Sequence, residues 1–125
     1  MEVIQLWIII GLLALIAITH VLMGLRHLQE HKKAARKEKL NVQYTQGDFD
    51  MLLSETQEAL AEFPNHVEAL YYRGKTFHNQ GRLEEARELY VRLANSDPEM
   101  RRSANDLIAL VDRDLKEREE SEEQV

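Results

Sequence analysis

The chain has 125 residues, a length for which one folded domain is the usual expectation. It contains no cysteine, which excludes disulfide scaffolds, thiolate zinc sites, iron–sulfur clusters and cysteine nucleophiles. With only 2 prolines and 5 glycines, the composition argues against a loop-rich all-β protein. The net charge is −6 and is unevenly distributed along the chain, so the charged segments are considered one by one.

The chain begins with a long apolar segment. No charged residue occurs between Val3 and Leu25, and most residues there are Leu, Ile, Val or Ala. As a helix this segment would extend about 34 Å, enough to cross a hydrocarbon core of about 30 Å. A cleaved signal peptide would need a basic start, a shorter apolar run and a small-residue cleavage site, and these features are missing. We therefore expect residues 1–25 to be an uncleaved transmembrane anchor that contacts the lipid bilayer through residues 3–25.

The charges that follow the apolar segment predict its orientation. Residues 26–39, interpreted as a basic juxtamembrane linker or helix, contain 6 basic and 2 acidic residues, whereas only Glu2 precedes the segment. The positive-inside rule therefore predicts an external N-terminus and a cytoplasmic remainder. From residue 40 onward there are 10 basic and 19 acidic residues without a basic stripe, so we expect no nucleic-acid binding.

The rest of the chain contains an internal repeat. The interval from Pro64 to Pro98 equals the interval from Gly47 to Gly81. This interval, about 34 residues, is the length of a helix–turn–helix repeat unit. Between Val67 and Pro98, apolar and small residues follow helical spacing in two runs: Leu70, Gly74 and Phe77, and then Leu83, Ala86, Tyr90 and Leu93. Gly81, between the runs, can take the left-handed conformation that ends the first helix, and Pro98 follows the second run.

This stretch resembles a tetratricopeptide repeat (TPR), with Arg73 and Leu93 as departures from the family pattern. The resemblance implies two antiparallel helices that approach closely at the small residues Gly74 and Ala86. Asn65 with Glu68 predicts a capping box at the start of the first of these helices. Asp97 and Pro98 predict an N-cap and first helical residue for the helix that follows the repeat.

The repeat that precedes this stretch is degenerate in its first helix. Leu40 stands where the second repeat has Gly74, and Gln43 stands where it has Phe77. Its first helix can therefore continue from the juxtamembrane segment. After Pro98, apolar residues spaced along one helical face from Met100 to Leu115 predict a terminal capping helix.

The predicted fold is all-α: an N-terminal transmembrane helix, a short linker, and a TPR-like helical domain over residues 40–118. This domain would hold about two repeats plus a capping helix, in about five helices. An acidic tail, residues 119–125, is expected to be frayed or disordered. Repeat arrays usually need about three units for stability, which suggests support from a partner or from self-association.

Few residues suggest catalysis. His27 and His31 with Glu30 spell the H-x-x-E-H pattern of inverted zincins, but they lie at the exit of the apolar segment without a protease-sized domain. We interpret them as interfacial histidines. His20 is interpreted in the same way, with a hydrogen bond to a membrane partner as the alternative. No nucleotide-binding loop or nucleophile motif occurs, so we expect no enzyme, no metal and no cofactor.

The resemblance to TPR domains implies that the first helix of each repeat lines a concave groove. The candidate partner-binding residues of the groove are Glu68, Tyr71, Tyr72, Lys75, His78 and Asn79. Tyr71 and Tyr72 could instead only cover the neighbouring helix. Because Lys75 is the lone cation of this set, a pocket for a C-terminal carboxylate is not expected.

The whole layout resembles membrane-anchored bacterial TPR proteins. The resemblance implies a single-pass protein of the bacterial inner membrane that displays a TPR adaptor or scaffold in the cytoplasm. Its protein partner, unidentified by the sequence, would belong to the assembly or regulation of a membrane-associated complex. Two alternatives remain open: a periplasm-facing assembly factor of the cytochrome c maturation type, and a peptide binder like the mitochondrial import receptors.

Overall fold

The computed structural model describes residues 2–124, and every regular element within that range is an α-helix. The helices are α1 (Glu2–Gln46), α2 (Phe49–Glu62), α3 (Val67–Asn79), α4 (Leu83–Ser96) and α5 (Arg101–Glu123). This confirms the predicted all-α class. The chain forms two compact units, one ending at Ala35 and the other beginning at Arg36, so that α1 contributes to both.

The first unit consists of α1 as far as Ala35, and most of it is the apolar segment. By length and composition α1 qualifies as a candidate membrane span, and none of its apolar window is buried within the protein. The side chains of Thr19 and His20 hydrogen-bond to the carbonyl of Ile16, at 2.7 and 2.8 Å. These two polar residues are therefore satisfied by their own helix. The predicted anchor also includes Met1, which lies outside the described residues.

The predicted linker is helical throughout. Residues 26–46 contain neither glycine nor proline and are rich in the good helix formers Lys, Glu, Ala, Gln and Leu. Nothing in the sequence interrupts the helix before Gly47, so the end of α1 serves as the first helix of the first repeat. The part of the chain that the structure describes therefore has five helices, instead of an anchor followed by about five more.

The helix ends differ from prediction at two places. Gly47 and Gly81 both have φ of 76° and end α1 and α3, a conformation that glycine adopts without strain. The N-cap of α3 is His66, whose Nδ1 accepts from the backbone N–H of Ala69 at 3.2 Å. The predicted cap, Asn65, instead accepts a hydrogen bond from the hydroxyl of Ser96 at 3.2 Å.

Residues 97–100 form a turn before α5. Asp97 ends α4, and its Oδ1 accepts from the backbone N–H of Glu99 at 2.9 Å. Because this carboxylate closes the turn, α5 begins only at Arg101, three residues after Pro98. At its other end α5 extends to Glu123 and so includes most of the predicted acidic tail; Val125 lies outside the described residues.

The second unit has a larger and a smaller apolar cluster. The larger one lies between α3, α4 and α5 and contains most of the predicted structural residues, namely Leu70, Phe77, Leu83, Ala86, Tyr90 and Leu93. Gly74 is buried against Tyr90, whereas Gly81 and Pro98 lie in turns. The smaller cluster joins the end of α1 to α2 and α3 and contains Leu40, Leu52, Ala59 and Ala69.

Arg73 links the two clusters. Its Nη1 donates to the carbonyl of Leu53 at 2.8 Å and to Oγ1 of Thr56 at 3.2 Å, both on α2. Its guanidinium also lies 4.8 Å from the centroid of the Phe77 ring. Burial lowers the pKa of Arg73, although an arginine remains charged at neutral pH. Arg73 stands where the family usually has leucine. Its hydrogen bonds to α2 join the second repeat to the first and explain this departure.

Candidate partner-binding face

The helices α1, α3 and α5 share a polar face. We call it the inner face and define it by Asn41, Tyr44, Tyr71, Tyr72, Lys75, His78, Asn79 and Asp114. Five of these residues come from the predicted groove on α3. The other three belong to the helices on either side.

Hydrogen bonds join α1 to α3 across the inner face. The hydroxyl of Tyr72 donates to Oδ1 of Asn41 at 3.0 Å. The amide of Asn79 donates to the hydroxyl of Tyr44 at 3.3 Å. These contacts show that part of the predicted groove holds neighbouring helices together.

Three tyrosine rings form the centre of the inner face. The ring centroid of Tyr72 lies 5.4 Å from that of Tyr44 and 5.1 Å from that of Tyr71. All three side chains are half-buried, so they both cover the underlying helices and present ring edges to solvent. Burial raises the pKa of Tyr72, and Tyr71 and Glu68 raise it further, so its hydroxyl remains a donor at neutral pH.

His78 joins α3 to α5. Its Nε2 lies 2.7 Å from Oδ2 of Asp114. The hydrogen bond from His78 holds the pKa of the Asp114 carboxyl below its usual range. The ring of His78 also meets the ring of Tyr90 edge to face, with centroids 6.3 Å apart. His78 is therefore engaged within the protein and offers only part of its ring to a partner.

Glu68 and Lys75 differ in their availability. Glu68, the predicted groove residue outside the inner face, pairs with Lys37 of α1 at 3.6 Å. Lys75 has neither a hydrogen bond nor an ion pair within residues 2–124, and its side chain is half-buried. Lys75 is therefore the charged group of the inner face that a partner can engage without breaking a contact.

Three residues of the inner face, Asn41, Tyr44 and Asp114, were not among the predicted groove residues. Asn41 and Tyr44 lie one repeat period before Lys75 and His78, so applying the period to the groove residues would have found them. Asp114 carries no such signal. The same offset from His78 leads to Asp112, which in the structure pairs with Arg87 at 2.8 Å.

The described residues contain no cluster of three or more metal-binding side chains. His27 and His31 lie in the first unit, where their rings stack with centroids 4.4 Å apart. Neither histidine belongs to the inner face.

The sequence profile of the tetratricopeptide repeat family matches residues 41–111. The chain belongs to the tetratricopeptide repeat family. The match runs from the end of α1 to the first half of α5 and confirms the predicted resemblance. Searches of curated proteins and of solved structures found no match.

The TPR framework organises the helices of the second unit. Residues 36–46 of α1 with α2 form the first repeat, α3 with α4 form the second, and α5 follows as the terminal helix. TPR units are helical hairpins whose stacking leaves extended surfaces for binding other proteins. A protein-interaction scaffold is the role that the family supports.

Proposed function

We propose that the protein is a single-pass, membrane-anchored TPR adaptor whose inner face binds a protein partner of a membrane-associated complex. In this proposal the apolar part of α1 lies in the bacterial inner membrane with its N-terminus outside, and the TPR domain lies in the cytoplasm. The role is one of binding, without catalysis.

The inner face is the observation that carries the proposal. Tyrosine rings provide contact area at a low entropic cost, and the amides and hydroxyls beside them can exchange hydrogen bonds with a peptide. Lys75 adds a cation without an ion-pair partner within the described chain. A face with Tyr71 and Lys75 at its centre suits a partner segment that combines apolar side chains with a carboxylate.

The membrane part of the proposal rests on composition. The charge-free run from Val3 to Leu25 is exposed along its whole length, and a fully exposed apolar helix of this kind is costly in water. The excess of basic residues after it favours the cytoplasmic orientation over the periplasmic alternative.

The partner can be captured by photo-crosslinking in cells. A photoreactive amino acid would replace Tyr71 or Lys75 in the full-length protein, and the adducts would be identified by mass spectrometry. We expect one dominant heterologous adduct from both positions. Glu88 on the exposed side of α4 is the matched control position and should yield no such adduct.

The adaptor role of the inner face would be contradicted if the protein crosslinked only to other copies of itself. It would also be contradicted if the control position Glu88 gave the same adducts as Tyr71 and Lys75. The orientation is tested separately by fusing alkaline phosphatase after residue 125. Phosphatase activity, which requires the periplasm, would overturn the cytoplasmic assignment.

A further inference from the structure

The one fully buried apolar side chain at the end of α1 is Leu40. It lies in a pocket lined by Leu52, Ala59 and Ala69 of α2 and α3. We call this pocket, together with the glutamates around it, the Leu40 site. It lies beside the inner face, because Tyr44 and Tyr72 pack against the same apolar cluster.

Three ion pairs surround the pocket. Arg36 pairs with Glu62 at 2.7 Å, and Lys39 pairs with Glu55 at 2.7 Å, both across α1 and α2. The third pair, at 3.6 Å, joins Lys37 of α1 to Glu68 of α3. The acidic rim belongs to α2 and α3, and the complementary cations all belong to α1. Three of the six basic residues of the predicted juxtamembrane segment thus form ion pairs within the TPR domain.

The α1 segment fits this site imperfectly. Gln43, one turn after Leu40, is only 8% exposed, yet its Oε1 accepts no hydrogen bond from any described residue. The equivalent position of the second repeat holds Phe77, which is buried and apolar. A buried acceptor without a donor is unfavourable, so the site would hold an apolar side chain at this position more strongly than it holds glutamine.

The remaining attachments of α1 are exposed to solvent. Its ion pairs involve side chains that keep contact with solvent, and pairs of this kind contribute little to stability. Its hydrogen bonds to Tyr72 and Asn79 of α3 are exposed as well. The most extensive helix packing of the second unit lies elsewhere, between α3 and α4 and between α4 and α5.

We propose that the Leu40 site is a second protein-binding site, which takes a basic amphipathic helix from a partner and which α1 occupies in the partner's absence. The preferred helix has apolar residues at the positions of Leu40 and Gln43, three residues apart. It has cations at the positions of Arg36, Lys37 and Lys39. The apolar pair fills the pocket and the cations meet the glutamates, so that α1 is displaced.

The probe is a fluorescent peptide with the sequence of residues 33–46 in which Gln43 is replaced by Leu. It would be titrated into the full-length protein in neutral detergent micelles, with protein-free micelles as the blank, and followed by fluorescence anisotropy. We expect saturable binding. A second peptide, in which the residues at the positions of Arg36, Lys37 and Lys39 are also replaced by glutamine, should bind at least about tenfold more weakly, because α1 keeps its three ion pairs and this peptide makes none.

The matched control is a scrambled peptide of the same composition, which keeps the charge and the apolar content but loses their helical spacing. It should show no saturable binding. Absence of saturable binding of the original peptide, or equal affinity of the original, the glutamine-substituted and the scrambled peptides, would overturn the proposal.

The substitution Gln43→Leu in the protein itself gives a test that unfolding cannot imitate. This variant improves the fit of α1 to its own site, so it should melt at a higher temperature while binding the peptide at least about fivefold more weakly than the wild type. Unchanged or tighter peptide binding would contradict displacement of α1.

Light scattering on the same samples distinguishes a second copy from a foreign partner. If the protein is a dimer that the peptide dissociates into monomers, the site is occupied by α1 of another copy, and the proposal of a heterologous partner is wrong. Failure of the inner-face crosslinks would leave these results unaffected, because the peptide titration uses purified protein and needs no partner at the inner face.

Discussion

At the scale of single residues, the packing of α3 on α4 depends on Gly74. A Cβ atom at this position would lie 2.6 Å from Cε1 and 2.9 Å from Cδ1 of Tyr90. Tyr90 is 0% exposed, so its ring is enclosed by the packed helices. The glycine is therefore required by the neighbouring helix.

Replacing Gly74 by alanine should destabilise the TPR domain by about 2 kcal/mol, the usual cost of overpacking a well-packed core. Urea unfolding followed by far-ultraviolet circular dichroism measures this loss. Gly24→Ala is the matched control, because no heavy atom lies within 4 Å of its added Cβ. Equal stability of the two variants would show that Tyr90 can yield.

Arg73 and Thr56 act together between the repeats. Their coupling can be measured with the variants Arg73→Met, Thr56→Val and the double variant, of which Arg73→Met keeps the long aliphatic stem. We expect a coupling energy of about 1 kcal/mol, the net value of a hydrogen bond between two side chains in a partly buried site. Strictly additive losses would mean that the contact at 3.2 Å contributes nothing to stability.

At the scale of elements, α5 is attached to the second repeat by polar contacts as well as by the apolar cluster. Arg87 of α4 pairs with Asp112, and Arg118 pairs with Glu84 of α4. Asp114 and His78 form the third contact. These contacts hold α5 against the second repeat as far as Arg118.

The contact between Asp114 and His78 predicts a dependence of stability on pH. The pKa of Asp114 is lowered in the folded protein, so its contribution is fully present above the unfolded pKa of about 3.9 and is lost as the pH falls through the lowered value. In Asp114→Asn the melting temperature should therefore fall less between about pH 4 and pH 2. Asp106→Asn, an exposed control on α5, should behave like the wild type.

The helix α1 shows that one element can take part in two units. Its apolar part has an unbroken exposed surface, and its last turns are the first helix of a TPR unit. Continuity follows from the absence of any helix-breaking residue in residues 26–46. The repeat period predicted that the last turns of α1 form the first helix of a TPR unit. It gave no indication of where along α1 the exposed apolar part ends.

At the scale of the whole molecule, the membrane anchor is the most consequential prediction. An arginine at the centre of a spanning helix costs roughly 2.5–3.5 kcal/mol on insertion scales. The double substitution of Leu13 and Ile16 by Arg should therefore release the protein from alkaline-washed membranes. The same substitutions at Ala34 and Ala35, in the basic exposed segment, should leave it in the membrane fraction. Retention of both variants would exclude the anchor.

The TPR domain of this molecule is short for its family, since arrays of about three units are usual. The larger apolar cluster involves α3, α4 and α5, and the first repeat adds only the smaller cluster around Leu40. The first repeat is thus the weaker part of the domain. Because the cluster around Leu40 is the smaller one, replacing α1 by a partner's helix at the Leu40 site would disrupt less apolar packing than replacing α3, α4 or α5.

The sequence by itself determined the helices, the repeat and the exposed apolar segment. These features follow from local periodicity: apolar residues at helical spacing, glycines at helix ends, and the equal intervals that separate Gly47 from Gly81 and Pro64 from Pro98. Burial of Leu70, Ala86 and Leu93 could be predicted in the same way, because each of them lies on the apolar face of its helix.

Only the tertiary structure decided which polar groups meet. The cap of α3 is His66 and not Asn65, whose side chain contacts Ser96, and the partner of His78 is Asp114 and not Asp112. Such pairings depend on the angles and distances between packed helices, to which residues far apart in the chain contribute. For the same reason, counting charges along the chain could not predict that Arg36, Lys37 and Lys39 form ion pairs within the TPR domain.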